Sequence, residues 1–454
     1  MKHRLLGAAL AGCALAAVGA GPVHAVSDQL WIDVPSETVL PASVSGGRAE
    51  RTVTVRVTHD NTENEVAPGR LTVDASELSA FARVAWPSNC VPASAVQALC
   101  DFPGMPSGKN IVTAAQIRLS ALPDADLTAT GHVRYTATAG ELTAFPAETR
   151  ISLGDGPDLG LSQAEYQRDL RPGSDTRVSA TVGNSGNRSV ERTLLWINAS
   201  YGLRLKERHS NCEYRQHETG TSALCVLDEK VAPGEQYALT TGLRVRDKAL
   251  YERFDHSVLP YSDAALEEAR GEWTWTPGTG PELDLRPVAT RRAAAADEDL
   301  DLSDNYRAVM LDARNTADLK LTGSKVRGAV GDTVTAAVTV YNRGPAWVAS
   351  LGAGASVATV RFQAPRGTTV VGLPEECWTL PESAEEPSVT TYFCKTPIYL
   401  HDRASHTMEI RLRIDEVVRG ARTTVETLND DPELSIRKFD PNLRNNRSEI
   451  VVNG

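Results

Sequence analysis

Six of the seven cysteines fall in three close pairs, and paired cysteines either bind a metal ion or form disulfides. The pairs are Cys90/Cys100, Cys212/Cys225 and Cys377/Cys394. Structural metal sites of cysteine pairs use C-x-x-C spacing, which none of these pairs has. An even set of cysteines at matched places in an exported chain is typical of disulfides. We therefore predict three local disulfides and no metal site built from cysteine.

A second candidate for chemistry is the acidic stretch "DEDLDLSDN", where Asp297, Asp299 and Asp301 lie two residues apart. On a strand these carboxylates would share one face, and carboxylate oxygens are ligands that calcium prefers. An EF-hand would also need glycine and glutamate where Leu302 and Ala308 stand. The favoured interpretation is a solvated acidic loop that leads into a closing strand, and a calcium site is the alternative.

A third candidate is the pair Trp273 and Trp275, which flank Thr274. On a strand the two indoles would stand on the same face. If they are exposed, they form a ligand contact on which sugar rings or peptide side chains could stack. If they are buried, they only cover a sheet, which is the favoured interpretation.

Motifs of known catalytic sites are missing from the sequence. There is no H-E-x-x-H and no G-x-S-x-G, and "GNSGN" at residues 183–187 is typical of a turn. His401 and His406 are five residues apart, so on a strand they would point to opposite faces. We predict no catalytic residues, no cofactor and no enzymatic activity.

The first 25 residues have the organisation of a secretory signal peptide. Lys2 and Arg4 precede the apolar run "LLGAALAGCALAAVGA", and "PVHA" gives a cleavage site after Ala25. The alternative is a lipoprotein, because "LAGC" has the form of a lipobox that would place a lipid on Cys13. No later stretch has the length of apolar residues that a membrane span needs. We expect a secreted or cell-surface protein without a transmembrane segment.

Composition limits the partners. The 454 residues carry a formal net charge of −11, so the chain lacks the basic surface that binds nucleic acid or anionic lipid. The hydrophobic fraction of 41% is large enough for buried cores, and the length suggests about three domains. The expected partner is an extracellular protein or polysaccharide of unknown identity.

Three copies of one pattern surround the cysteine pairs. Apolar residues alternate with polar ones before each pair, and a second alternating run follows each pair, at Ile117, Leu243 and Ile410. Such period-two alternation predicts strands with one buried face. The early strand ends in "NSGN" at Asn184 and "NRGP" at Asn342, which predicts a tight reversal. The first copy has "HDNTEN" instead.

Short strands separated by Gly, Pro and Asn clusters predict an all-β chain of three antiparallel β-sandwiches. The expected repeats are residues 26–157, which diverge most, residues 158–317 and residues 318–454. The middle repeat is expected to carry an inserted loop and helix around residues 248–299, with the helix at Asp263–Arg270 and part of the segment forming a flexible loop.

The third repeat resembles the conserved-repeat Ig-like domains of bacterial surface proteins, a domain family of unknown function that is related to the cell-adhesion-related bacterial domain. The resemblance lies in "VTVYNRGPAW", "FQAPRGTTVVG" and "FDPNLRNNRSEIVV". The matching residues are Asn342, Gly344, Pro345, Asp440, Pro441, Asn445 and Asn446. The resemblance is partial over residues 158–317 and weak over residues 29–157. It implies tandem Ig-like domains that act as an extracellular structural, adhesion or presentation module.

Overall fold

The computed structural model describes residues 28–43, 50–289, 299–302, 304–352, 354–379, 390–428 and 438–454. The predicted cleavage after Ala25, the lipidation of Cys13 and the carboxylate of Asp297 lie outside the described residues. The fold is all-β, as predicted, and the described residues contain one α-helix, α1 (Asp263–Arg270).

The first repeat consists of two β-sheets. Its strands are β1 (Leu30–Asp33), β2 (Glu37–Pro41), β3 (Glu50–His59), β4 (Gly69–Asp74), β5 (Ala82–Ala85), β6 (Cys90–Pro92), β7 (Gln97–Phe102), β8 (Ile111–Ala121), β9 (Thr130–Ala139), β10 (Leu142–Thr143) and β11 (Ala147–Gly154). One sheet has the order β1-β3-β8-β5, and the other has the order β2-β11-β9-β4-β7-β6, with β10 on β9. The predicted alternation is confirmed in β3, where Val53, Val55 and Val57 are buried.

The second repeat has the same arrangement with additional strands. Its strands are β12 (Leu159–Leu161), β13 (Gln167–Leu170), β14 (Asp175–Asn184), β15 (Thr193–Ser200), β16 (Leu203–Leu205), β17 (Cys212–His217), β18 (Gly220–Leu227), β19 (Gln236–Val245), β20 (Tyr251–Pro260), β21 (Thr276–Pro277), β22 (Arg286–Ala289) and β23 (Tyr306–Ala313). The sheets have the orders β12-β14-β19-β16, with β22 also on β19, and β13-β23-β20-β15-β18-β17-β21.

The third repeat has the same frame without the strap strands of the second repeat, together with a separate two-stranded sheet. Its strands are β24 (Ala317–Thr322), β25 (Lys325–Val326), β26 (Thr333–Pro345), β27 (Val348–Ala349), β28 (Thr359–Gln363), β29 (Thr368–Gly372), β30 (Cys377–Thr379), β31 (Thr391–Lys395), β32 (Tyr399–Leu400), β33 (Ser405–Ile414), β34 (Ala421–Thr427) and β35 (Arg447–Val452). The main sheets have the orders β24-β26-β33-β29 and β25-β35-β34-β28-β31-β30, and β27 pairs with β32.

All three repeats therefore share one strand order. In Ig nomenclature the first sheet contains strands A, B and E in that order, which are β1, β3 and β8 of the first repeat. The second sheet contains strands G, F and C in that order, which are β11, β9 and β4. The register agrees as well, since Leu30, Leu159 and Leu319 lie opposite His59, Asn184 and Asn342. His59 thus takes the place of the buried asparagine in the divergent first repeat. The fold is Ig-like in each of the three sandwiches.

Two sequence-based expectations about local structure need correction. The turn predicted at "NRGP" is the last part of β26, where Gly344 adopts a φ of 80° and the register with β24 shifts. The insertion starts after Pro260 and not near Lys248, because β20 (Tyr251–Pro260) pairs with both β15 and β23 and is a central strand. The insertion therefore joins β20 and β23, which are strands F and G of the second repeat.

Contacts group the described residues into two compact units. The first contains residues up to 38 together with residues 52–119 and 130–151. The second contains residues 39–51, 120–129 and 152–454, so the second and third repeats belong to one unit. The boundaries of the three predicted domains at residues 157 and 317 remain predictions.

Candidate functional site

The insertion of the second repeat, residues 261–289, forms a strap along one side of the sandwich. It begins with α1, where the Ser262 hydroxyl accepts a hydrogen bond from the Ala265 amide at 3.1 Å. This is the usual N-cap contact. The helix ends at Gly271, which adopts a φ of 53° that favours glycine. The sequence therefore encodes a short helix with a defined start and stop.

The strap then adds one short strand to each sheet. β21 pairs with the edge strand β17, and β22 pairs with β19 in the opposite sheet. Between them Leu283 and Leu285 are buried in the core of the second repeat. Gly278 lies so close to the segment before β17 that an added Cβ would stand 2.0 Å from the His209 carbonyl oxygen. The described part of the insertion is thus bound to the sandwich. Residues 290–298 of the predicted insertion lie outside the described residues, so the flexible loop expected for part of it stays a prediction.

Trp273 and Trp275 lie in the loop between α1 and β21, so the strand geometry assumed for them does not apply. Trp273 is 60% exposed, and the Arg215 guanidinium lies 3.5 Å from its ring centroid. Trp275 is half-buried, and its Nε1 donates to the Arg270 carbonyl oxygen at 3.1 Å. We call Trp273, Arg215, Trp275 and Arg270 the Trp273 surface.

Ion pairs hold the Trp273 surface in place. Arg270 pairs with Glu213 of β17 and, at 2.5 Å, with Glu267 of α1. These carboxylates raise the pKa of Arg270, with the hydrogen bond to Glu213 as the main cause. An indole stacked on a guanidinium offers an apolar face beside a positive charge, which suits a sugar ring that carries an anionic group.

A second exposed aromatic pair was missed by the sequence analysis. Trp31 and Phe145 in the first unit are 47% and 55% exposed, and their ring centroids lie 4.9 Å apart. The alternation of the strand indicates the exposure of Trp31, because Trp31 follows the buried Leu30 in β1 and so points outwards. Phe145 lies outside the strands and gave no such signal.

The three predicted disulfides are present, and each joins two residues that face each other on adjacent strands. They are Cys90–Cys100, Cys212–Cys225 and Cys377–Cys394. In each repeat the bridge links the outer strand to its neighbour in the sheet that contains strand C. The bridges are therefore local and do not link the two sheets. Disulfides of this kind belong to an oxidising, extracellular type of environment.

The closing segment of the third repeat, residues 438–446, is organised by Asp440. Its Oδ2 accepts hydrogen bonds from the Leu319 amide at 3.0 Å and from Asn446 Nδ2 at 2.9 Å, and its Oδ1 accepts from the Asn442 amide. Asn445 Nδ2 donates to Asp318 Oδ1 at 2.8 Å. These contacts attach the segment to β24.

The closing segment of the second repeat, residues 299–305, repeats most of these contacts. Asp299 Oδ2 accepts from the Leu159 amide at 3.0 Å and from Asn305 Nδ2 at 3.2 Å, and its Oδ1 accepts from the Asp301 amide. Burial raises the pKa of Asp299 to about 6. The acidic loop does lead into β23, but Asp299 is not a solvated side chain.

The surroundings of Asp299 do not form a calcium cage. Both of its carboxylate oxygens receive N–H donors, and Asp301 faces the Arg51 guanidinium at 3.8 Å. Across the described ranges, no group of three or more His, Cys, Asp or Glu side chains is arranged to hold a metal ion. The oxygens of Asp299 instead serve as hydrogen-bond acceptors for the fold.

The largest buried aromatic group lies between the second and third repeats. Trp347 is fully buried, its Nε1 donates to Glu252 at 2.7 Å, and its ring stacks on His401 with centroids 5.6 Å apart. Tyr201 packs against both rings. We call these four residues the Trp347 junction.

Glu252 of the junction is a buried carboxylate with a complete set of donors. Besides Trp347 it accepts hydrogen bonds from Ser200 and from the amides of Gly202 and Leu250. Burial raises its pKa, and these hydrogen bonds act in the opposite direction. The polar partner of Trp347 thus comes from the other repeat.

Comparisons with known proteins give distant likenesses. No protein-family model and no curated protein sequence matches this chain. It is similar to the complex of Dpr2 Ig1-Ig2 with DIP-Theta Ig1-Ig3, at 9% identity and a TM-score of 0.23 over 94% of this chain and 99% of that chain. A putative membrane anchored protein from Corynebacterium diphtheriae is 10% identical, with a TM-score of 0.16 over 93% of this chain and 91% of that chain. Red sea bream transglutaminase is 10% identical, with a TM-score of 0.20 over 64% of this chain and 32% of that chain.

TM-scores this low carry no argument about function. The Ig-like assignment rests on the strand order and register of the sheets described above. No helix within the described parts of the chain has the length and apolar character that crossing a membrane requires.

Proposed function

We propose that this chain is a non-enzymatic extracellular protein of tandem Ig-like domains, which serves as a structural, adhesion or presentation module. The observation that carries the proposal is the Trp347 junction, which joins the second and third repeats through the buried Trp347–Glu252 hydrogen bond and the rings stacked on Trp347. Around it Lys248 pairs with Asp402 at 2.8 Å, and Arg253 donates to the Leu351 carbonyl oxygen. A stiff pair of sandwiches is what presentation of a surface loop requires.

The resemblance of the third repeat to bacterial conserved-repeat Ig-like domains supports the same role. Its matched residues Asn342 and Asp440 are buried and bind backbone groups, so they maintain the fold. Ig-like folds use the loops at the ends of their sheets for recognition. The F–G connection of the second repeat, which is the strap, is the longest such segment among the described residues.

A distance measurement tests this proposal. Spin labels on the exposed positions Ser179 and Glu409, each changed to cysteine, report the separation of the second and third repeats. We expect a narrow distance distribution for the otherwise native chain and a broad one after Trp347→Ala. A broad distribution without that change would refute the stiff pair. Saturable turnover on glycoside, ester or peptide panels would refute the non-enzymatic role.

A carbohydrate-binding accessory protein is the second candidate, and the exposure of Trp273 favours it. Arg215 covers one face of the indole, and the exposed area provides a place for a sugar ring. Retention on chitin, cellulose and peptidoglycan should be measured for wild type, Trp273→Ala and the matched control Trp31→Ala. Loss of retention in Trp273→Ala alone supports this candidate. Equal retention of all three proteins, or none by wild type, eliminates it.

A further inference from the structure

The closing segments of the second and third repeats differ at one polar position. Asp299 and Asp440 make the same contacts, to Leu159 and Leu319 respectively, so the two segments can be superposed contact by contact. The residue before the final asparagine is Asn445 in the third repeat and Asp304 in the second. An amide donor has thus been exchanged for a carboxyl group.

This exchange removes a hydrogen-bond donor. Asn445 donates to Asp318, whereas an ionised Asp304 can only accept. The equivalent of Asp318 is Asp158, so two carboxyl groups take the places of the amide and the carboxylate that pair in the third repeat. Oδ1 of Asp158 and Oδ1 of Asp304 are both buried and have no hydrogen-bond partner among the residues that the structure describes. Buried acceptors of this kind are costly unless a donor is supplied.

The second repeat also brings the two carboxyl groups deeper into the protein. The Asp158 side chain is 0% exposed, and the Asp318 side chain is 18% exposed. The neighbour in β12 is Gly160, where the third repeat has Lys320. A Cβ on Gly160 would lie 2.8 Å from Asp304 Oδ2, so the absence of a side chain is what lets this carboxyl group lie against the strand.

Among the described residues, Arg51 is the cation that faces this pair. Arg51 Nη1 lies 2.8 Å from Asp158 Oδ2 and 3.8 Å from Asp301 Oδ2, and it is the cation of the group. Asp299 and Asp301 add two more carboxyl groups from the closing segment. Asp158 and Asp301 thus face the same guanidinium, and side-by-side carboxylates in a buried place cannot all ionise.

We propose that Asp158 and Asp304 bind one proton between them, and that the loss of this proton in alkaline medium loosens the closing segment from β12. The proton restores the missing donor, since a protonated carboxyl group donates as the Asn445 amide does. The pair thus makes the attachment of the closing segment to β12, the first strand of the second repeat, sensitive to pH.

The direction of the pH effect follows from the shifts of the two groups. Burial and then the Asp158 charge raise the pKa of Asp304 to about 7, and burial raises the pKa of Asp158 against the opposing effect of Arg51. A carboxyl group whose pKa is higher in the folded state adds stability below its unfolded value, roughly 4. That stability is lost as the pH rises towards about 7. The closing segment should therefore be held more tightly at pH 5 than at pH 8.

Carboxyl carbon NMR and amide exchange measure this directly on the full chain. We expect one carboxyl group of the pair to titrate near neutral pH. The Leu161 amide donates to the Asp304 carbonyl oxygen at 3.0 Å, and its protection, corrected for intrinsic exchange, should fall about tenfold or more between pH 5 and pH 8. Two carboxyl groups that both titrate near 4, or constant protection, would overturn the proposal.

Two reciprocal variants separate a shared proton from a general effect of pH. Asp304→Asn recreates the amide–carboxylate contact of the third repeat and should abolish most of the fall at Leu161. Asn445→Asp should make the protection of the Leu319 amide fall between pH 5 and pH 8. This fall should be smaller than the one at Leu161 because Asp318 is partly exposed. An unchanged fall in Asp304→Asn would overturn the proposal. No fall at Leu319 in Asn445→Asp would also count against it.

A metal ion is the competing occupant of this group of oxygens. Calcium chloride at millimolar concentration, with magnesium chloride as the comparison, should leave the pH dependence at Leu161 unchanged. If calcium restores protection at pH 8, the group binds a cation and the proton assignment is wrong.

Discussion

The second and third repeats are two versions of one frame, and their differences lie at its periphery. Both hold a buried asparagine, Asn184 or Asn342, whose Nδ2 donates to two carbonyl oxygens near the end of the early strand. Both attach the closing segment through an aspartate. The second repeat departs from the third by its strap and by the acidic exchange at Asp304.

This comparison shows which contacts carry the fold. The shared contacts are buried polar groups with partners on the backbone, and such contacts are costly to break because the remaining partner stays unsatisfied. The strap and the Trp273 surface lie outside this set. Changes to the shared contacts should therefore affect stability, whereas changes at the Trp273 surface should affect binding.

The largest effect is expected for Trp347→Ala. The change empties a fully buried site and removes one donor from Glu252, so the free energy of unfolding should fall by about 3–5 kcal/mol. Urea denaturation measures the change. The matched control is Trp378→Ala, whose ring is partly buried and stacks on Phe393 within the third repeat. If Trp378→Ala lowers the free energy of unfolding as much as Trp347→Ala does, the Trp347 junction contributes no more to stability than an ordinary ring contact.

Next in size are the disulfides. Replacing Cys377 and Cys394 by serine should cost about 3 kcal/mol, because the bridge closes a loop of 17 residues in the unfolded chain. The same change at Cys212 and Cys225 should cost at least as much, since both of these cysteines are buried and Cys377 is not. Thermal unfolding with and without reductant checks which of the two disulfides contributes more to stability. A smaller loss in the second repeat would mean that the strap compensates for the bridge.

A smaller effect is expected at the two closing aspartates. Asp440→Ala leaves the Leu319 amide and Asn446 without an acceptor and should cost about 1–3 kcal/mol. Asp299→Ala should cost less at pH 8, because it also removes one carboxylate from the crowded group around Asp304. Amide exchange at Leu319 and Leu159 reports the two sites separately. Equal losses at pH 8 would indicate that the acidic residues do not repel one another.

The smallest effect on stability is expected for Trp273→Ala. Its ring is exposed, and substitutions at exposed positions change the free energy of unfolding by about 0.5 kcal/mol or less. The midpoint of urea denaturation should therefore stay close to that of wild type. A large shift would show that Trp273 holds the strap in place and would remove it as a ligand contact.

Local patterns in the sequence were sufficient to predict many strands of the shared sandwich and its disulfides. The alternation in β3 and β14 and the matched cysteine pairs depend on neighbouring residues, so the strands and the disulfides could be predicted. The central strand β20 was missed because Glu252, Asp255 and His256 make it look like a surface segment. Their burial depends on partners far away in the chain, such as Trp347, and no local pattern encodes these.

The candidate sites were less predictable for the same reason. Trp273 was singled out by its type and spacing, but its exposure and its contact with Arg215 depend on how the strap docks on β17. The acidic stretch was recognised as a group of oxygens. Its pairing with Asp158 and Arg51 required the register of β12 and the path of residues 39–51, which the sequence alone does not reveal.

The pairing of β21 with β17 has a consequence for self-association. Edge strands expose free N–H and C=O groups on which another chain can add a strand, and natural proteins cover such edges to avoid aggregation. Among the described strands, β6 and β30 end their sheets in the first and third repeats, while β17 is covered by β21. The strap thus hinders the addition of a foreign strand to the second repeat along Glu213 and Tyr214, the residues of β17 that pair with β21.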